Sequence, residues 1–324
     1  WKMAEVRNQA VPETDAKGKK TVKYETVPLD PSKVKWKSVT VPYRTGWFGG
    51  EKDFYFRRDF QLAPDQVKRK RITLHFELIM ENFTVWINGR KFQGRPDSGT
   101  HSVLDISSAV QAGRNEILVR VFNDFQNRRW ADSMPLVSWA VTNLMGINAP
   151  VHLEITDPLY VDQVKIRTDV TPEKVFHAEV LLKNGSDVSR TISLAASVAG
   201  EWKRDVPQVE IPAHGEKWIS ISRKWPHAKL WSPDIPQLYH LDLRVLENGK
   251  AIDAYRQRFG FREFRIAGHR ILLNGYPVIH RRLSWSPKSR DPEGIKKEIE
   301  VLKKHGVTTV RIFYPNLIDR LAFF

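Results

Sequence analysis

Between residues 36 and 157 the chain alternates apolar and polar positions in short runs. Residues 36–42 (WKSVTVP), 53–60 (DFYFRRDF), 72–76, 84–87, 116–122 and 151–156 are rich in β-branched and aromatic residues, with Gly, Pro and Asn between them. A period of two broken by turn residues at this spacing predicts a sandwich of half-buried strands. No helical repeat interrupts it, so residues 1–157 read as all-β. Asn88-Gly89 is a hairpin signal, because both residues accept the positive φ a tight turn needs. Asp105-Ile106-Ser107 and residues 113–117 (GRNEI) supply two more turns. Trp86, inside a strand, reads as core rather than as a platform for a ligand.

The alternation resumes over residues 158–262. Runs at 163–167, 176–182, 192–198 and 218–221, with a hairpin of 239–246 and 251–259 around Asn248-Gly249, predict a second sandwich of about seven strands. After Gly275 the period changes. Residues 278–283 read as a buried strand, Asp291 as a helix cap with Pro292 at the first position, and Ile295, Ile299 and Leu302 recur at helical spacing. Gly306 ends that helix, residues 307–313 form a second buried strand, and 316–324 open another helix. Strand, helix, strand is a βαβ unit, the repeat of a parallel sheet or barrel.

Composition changes the picture in three places. Eleven Trp and an apolar fraction of 41% support packed cores rather than disorder. With no Cys there are no disulfides or thiolate metal sites, so the redox compartment is unreadable. No apolar run approaches the roughly 18 residues of a membrane span. The chain starts at Trp1 rather than Met, which leaves its location open between the cytoplasm and export with a signal peptide removed. The net charge of +15 raises the question of nucleic acid. Its basic runs, at 17–23 in a loop, 68–71 at a strand entrance and 296–304 on a helix, have no recognition helix, zinc-finger spacing or interleaved aromatic platform, so they read as solvated surface.

Trp231-Ser232-Pro233, Pro236 with Leu238-Tyr239, Asp253, Phe259-Gly260-Phe261-Arg262, and Leu273-Asn274-Gly275 followed by Pro277 form an ordered set. It resembles the junction of glycoside hydrolase family 2, where an immunoglobulin-like sandwich hands over to a catalytic (β/α)8 barrel. Earlier motifs resemble the amino-terminal domain of that family: the W-x-x-V-x-V-P run at 36–42, the Val85 to Gly89 hairpin, and Gly146-Ile147 with Val151-His152-Leu153. The resemblance implies a jelly-roll domain at 1–157, an immunoglobulin-like sandwich at 158–262, and the incomplete start of a (β/α)8 TIM barrel at 263–324. A full barrel needs about 250 residues.

It also implies a retaining exo-β-glycosidase acting on a terminal β-galactoside, β-mannoside or β-glucuronide. Such enzymes use two carboxylates about 5 Å apart, and in this family both are Glu on later strands of the barrel. No substitute pair stands out in this chain: Glu77 and Glu81 lie in or beside a strand, Glu298 and Glu300 on a helix. No metal cluster, P-loop or dinucleotide fingerprint appears. By itself the 324-residue chain is expected to be inactive.

Part of a substrate wall is still implied. Arg311, in a Val-Arg at the end of the second barrel strand, corresponds to the arginine that positions the nucleophile, with Tyr314-Pro315 after it. Trp285, in a W-S-P resembling the W-x-P of mannosidase-like members, stands at the end of the first strand. The polar, aromatic stretch 123–143 is a candidate to reach over the barrel. There Ala140 replaces a carboxylate some members carry, leaving Asp132 and Trp139 as substrate contacts. No organic cofactor is implied, and a divalent cation in a longer protein and a homo-oligomer are left open. The partner is a carbohydrate, with no nucleic acid and no membrane. The alternative is a non-catalytic carbohydrate-binding or scaffold module.

Overall fold

The computed structural model describes residues 1–14, 20–45, 52–68, 70–80, 82–93, 101–122, 145–285 and 292–312. The chain is mostly β. It divides into two compact units, one of Trp1–Lys68, Ile72–Ile155 and Arg281–Phe324, the other of Arg69–Arg71 and Thr156–His280.

In the first unit a six-stranded sheet runs in the order Arg90–Gln93, Asn82–Ile87, Gly113–Phe122, Lys52–Leu62, Lys2–Arg7, Lys37–Ser38. A three-stranded sheet, Ser102–Asp105, Arg71–Phe76 and Val151–Thr156, contributes to the same core. Alternation does the work expected of it. Ile72, Leu74 and Phe76 are buried to 1% exposure or less among Phe54, Phe56, Val85 and Val119, while His75 looks the other way. Burial pushes the His75 imidazole below its ordinary pKa, against the pull of Glu154.

Four details depart from the expectation. Lys2–Arg7 is a strand paired with Lys52–Leu62, and Gln9–Thr14 pairs with Lys20–Glu25, so much of the basic run 17–23 is strand rather than loop. Of residues 36–42 only Lys37–Ser38 joins a ladder, with the Val39 N–H still donating to the Trp1 carbonyl at 3.0 Å. Pro64–Val67 is a single helical turn in a region read as all-β. Trp86 is half-buried on the face opposite Val85 and Ile87, so it is not a core residue.

The second unit has a body of seven strands in two sheets, followed by a three-stranded meander. Three run in the order Leu159–Asp169, Val175–Asn184, Glu216–Lys224 and four in the order Trp202–Ile211, Arg190–Val198, Leu238–Glu247, Lys250–Gly260. The strand Trp202–Ile211 was not foreseen, since its polar middle hides the period. Between the sheets sits an aromatic cluster of Phe176, Trp202, Trp225, Tyr239, Phe259 and Phe261, with Phe176 contacting Trp202 and Phe259 at 5.2 Å between centroids. Such pairs add about 0.5–1.5 kcal/mol each beyond the area they bury.

Past Phe261 the chain forms a small meander, Phe264–Ala267, Arg270–Leu273 and Tyr276–Pro277, turning at Asn274 (φ 54°) and Gly275 (φ 87°). Residues 278–281 are not strand, and Ile279 is 72% exposed. The first strand of the βαβ unit therefore starts later than expected, at Arg282–Trp285, and pairs in parallel with Thr309–Ile312. The helix Pro292–Lys304 lies between them in sequence and buries Ile295. Gly306 (φ 74°) closes it: the Gly306 N–H donates to the Lys303 carbonyl at 2.9 Å and the Val307 N–H to the Leu302 carbonyl at 3.1 Å. This paired closure satisfies carbonyls that the helix end would leave open. Asp291, expected to cap the helix, and residues 313–324, expected to end the strand and open a second helix, lie outside the described residues.

Candidate active-site edge and the junction motif

Parallel register fixes what stands at the carboxyl ends of the two strands. Ser284 is opposite Arg311 and Trp285 opposite Ile312. Because side chains alternate along a strand, Ser284 and Arg311 share one face and Trp285 and Ile312 the other. Trp285 is half-buried, and its indole N–H donates to Glu298 Oε2 on the helix at 3.1 Å. Glu298, which the sequence places on a helix, thus anchors the tryptophan. Arg311 is exposed on the face away from that anchor. The two are brought to one edge but not to one face. Tyr314, Asp132 and Trp139 lie outside the described residues, as does Ser286.

The junction motif resolves into a set of backbone anchors. The Trp231 N–H donates to the Phe261 carbonyl at 2.9 Å, and the Arg262 guanidinium lies 4.4 Å from the Trp231 ring centre. A side chain at residue 260 would put its Cβ 2.8 Å from Trp231 Cβ and Cγ, so the indole seats directly on the glycine. The Thr168 hydroxyl donates to the Arg262 carbonyl at 2.6 Å and accepts from the Arg262 N–H at 3.0 Å. Asn274 accepts from the Glu263 N–H and donates to the Trp231 carbonyl, each at 3.0 Å. Asp253 accepts the Val161 N–H at 2.8 Å, where the register of Leu159–Asp169 slips by one residue. Together they anchor residues 260–274 to the second unit.

Two further polar sites were not legible in the sequence. Asp53, with its side chain 1% exposed, accepts from Arg120 Nε at 2.5 Å and from Asn8 Nδ2 at 2.9 Å, and Arg120 also lies 4.1 Å from the Phe122 ring centre. Its partners are 67 and 45 residues distant, beyond any local pattern. Asn184, in one of two glycosylation-type sequences, is buried to 2% and donates to the carbonyls of Val188, Ile211 and Pro212. A glycan there would require the loop to unfold.

Comparison with known proteins agrees with this architecture. Residues 49–156 match the description "Glycosyl hydrolases family 2, sugar binding domain", and residues 159–262 match "Glycosyl hydrolases family 2". The fold is shared with a calcium-binding mutant of Bacteroides uniformis β-glucuronidase 2 at a TM-score of 0.75 and 19% identity, covering 97% of this chain and 39% of that one. It is shared with a family 2 member from Bacteroides cellulosilyticus at 0.73 and 22% identity, over 96% and 43%. A β-galactosidase of Streptococcus thermophilus is 25% identical over 260 residues, 78% of this chain and 25% of the relative. A protein named as a putative β-glucuronidase of Formosa agariphila is 26% identical over 271 residues, 79% and 32%. The chain belongs to glycoside hydrolase family 2 and corresponds to its amino-terminal part. It spans about a quarter to a third of the length of these curated relatives.

Proposed function

We propose that this chain is the front portion of a retaining exo-β-glycosidase acting on terminal β-galactosides, β-glucuronides or β-mannosides. The six-stranded sheet and the sheet of Ser102–Asp105, Arg71–Phe76 and Val151–Thr156 are the jelly-roll, the seven strands between Leu159 and Gly260 are the immunoglobulin-like sandwich, and Arg282–Trp285, Pro292–Lys304 and Thr309–Ile312 are the first βαβ of a (β/α)8 barrel. The observation that carries the reading is the parallel pair with Arg311 at the carboxyl end of its second strand. Barrel enzymes assemble their sites at that end of the strands.

The mechanism is double displacement by two glutamates supplied by later strands, one the nucleophile and one the acid/base. Arg311 donates charge-assisted hydrogen bonds that hold the nucleophile ionised. Trp285, fixed by Glu298, forms an apolar wall at the rim. Tyr314, Asp132 and Trp139 complete the contacts to the sugar, and no organic cofactor takes part.

The test is hydrolysis of a panel of aryl β-glycosides by a longer protein that carries this chain, and by the chain alone. The longer protein should cleave one sugar class. Arg311→Ala should lower its kcat on the order of 10²-fold, as loss of a charge-stabilising donor does. The chain alone should cleave none, and turnover by it would overturn the proposal.

A further inference from the structure

The outer face of the three-stranded sheet gathers three histidines and two glutamates that the glycosidase reading does not use. His75 lies on the middle strand with Glu77 just beyond its end, His152 and Glu154 lie on one neighbour, and His101 enters the other. His75 Nδ1 is 3.1 Å from His101 Nε2. From His101 Nε2 to Glu77 Oε1 is 3.8 Å, and from that oxygen to His152 Nδ1 is 3.7 Å. Four donors are thus strung along three consecutive short edges. In a tetrahedron of ligands at 2.0–2.1 Å the edge is about 3.3 Å.

The other nitrogen of His75 is held separately. Its Nε2 lies 2.8 Å from Thr73 Oγ1 and 3.2 Å from Glu154 Oε2. A proton on Nε2 is therefore claimed by the hydroxyl and the carboxylate, and the lone pair is left on Nδ1, the atom that faces His101. Metal-bound imidazoles are oriented in this way, with the far N–H given to a carboxylate.

We propose that His75 Nδ1, His101 Nε2, His152 Nδ1 and Glu77 Oε1 form a structural site for a zinc-class divalent cation, with Glu154 and Thr73 positioning His75. Imidazole nitrogens with one carboxylate suit Zn²⁺ rather than Ca²⁺ or Mg²⁺, which take oxygen ligands. Four protein donors leave no open position, so the ion staples strands instead of catalysing. Among the described residues no group of donors yet converges on one centre. The obstacle is local: the His75 and His152 rings stack at 4.8 Å between centroids and an 18° interplanar angle, so their lone pairs run side by side. The His152 side chain is 50% exposed and free of core packing, so a rotamer change opens the stack. His101 must also carry its proton on Nδ1, which a tautomer exchange with water provides.

The test is calorimetric titration of the chelator-treated chain with Zn²⁺ alone, with Co²⁺ as a spectroscopic substitute. One equivalent should bind, and Co²⁺ should give the intense visible bands of tetrahedral coordination. His101→Gln and His152→Gln alter partly exposed side chains and should each weaken binding at least tenfold. Glu154→Gln, a positioning change, should weaken it about tenfold. His177→Gln, on the second unit, should leave binding unchanged. Zn²⁺ should also shield His101 and His152 of the unaltered chain from carbethoxylation, a readout independent of how the variants fold. Absence of saturable binding, binding that survives the double change at His101 and His152, or unshielded histidines would each overturn the site.

Discussion

The core of residues 156–280 is built round six aromatic rings in mutual contact, from Phe176 through Trp202 and Trp225 to Phe261. The core of the first unit has a similar share of aromatics, but among the described residues its rings meet in separate pairs, Phe76 with Phe83 and Tyr43 with Phe56, set among Ile72, Leu74, Val85, Ile87 and Val119. The polar groups differ in the opposite sense. The first unit hides a charge, Asp53, almost completely, whereas the second leaves its comparable carboxylate, Glu247, 27% exposed beside Arg190. The second unit joins its rings into one cluster, and the first buries its ion pair more deeply. Substitutions that remove shape and substitutions that remove charge should therefore rank differently in the two.

The largest effect expected is from Phe176→Ala, about 4–5 kcal/mol in denaturant unfolding, against about 3 kcal/mol for Leu74→Ala in the other core. Phe176 loses contacts to three rings at once, those of Trp202, Trp225 and Phe259. Equal costs would dissolve the contrast between the cores. Next comes the charge comparison. Arg120→Met removes the charged partner of the buried Asp53 carboxyl, which should cost about 3 kcal/mol. Arg190→Met strands only partly exposed carboxylates and should cost about 1–2 kcal/mol. A reversed order would show that the exposed pair is the better organised one.

Smaller still is a pair of glycines. Gly260→Ala drives a methyl into Trp231 and should cost about 2–3 kcal/mol as overpacking. Gly89→Ala, at φ 83° with nothing within 4 Å, meets only backbone strain and should cost about 1 kcal/mol. If the two matched, the seat of the indole on Gly260 would not be the reason for a glycine there.

The glycines also mark the limit of what the sequence could disclose. Hairpins at Asn88-Gly89 and Asn248-Gly249, six of the seven strands between Leu159 and Gly260 and the βαβ pattern were legible because each depends on local chemistry: positive φ, a period of two, a period of 3.6. The junction motif was legible through its resemblance to a family, and its physical content turns out to be backbone anchoring. What could not be read depends on distance. The Lys2–Arg7 strand finds its partner fifty residues on, in Lys52–Leu62. Asp53 meets Arg120 only through the sheet order, and His75, His101 and His152 become neighbours only when three strands align. At the candidate site, sequence placed Trp285 and Arg311 at strand ends but not on opposite faces. That requires the register of Ser284 against Arg311.

The finest contrast is in acid. The second unit holds two carboxyls below the ordinary glutamate range. Arg190 does so for Glu247 through paired hydrogen bonds at 2.8 and 2.7 Å. The Val170 N–H, followed by the Thr171 N–H, does so for Glu263 at 2.8 and 3.0 Å. In the unfolded chain both groups take up protons at higher pH than in the folded one. Their contribution to stability is therefore fully present above the ordinary glutamate pKa and is lost as the pH falls through the depressed folded values. Thermal unfolding followed from about pH 7 down to about pH 3 should show the second unit losing stability along that acid limb. Glu263→Gln keeps one acceptor for the two N–H groups while removing the titration. It should lower the melting temperature slightly at neutral pH and flatten the acid limb, so that variant and parent converge at the lowest pH. Parallel curves for the two would mean that Glu263 is ionised equally in both states, and that the junction draws its order from Asn274 and Trp231 without it.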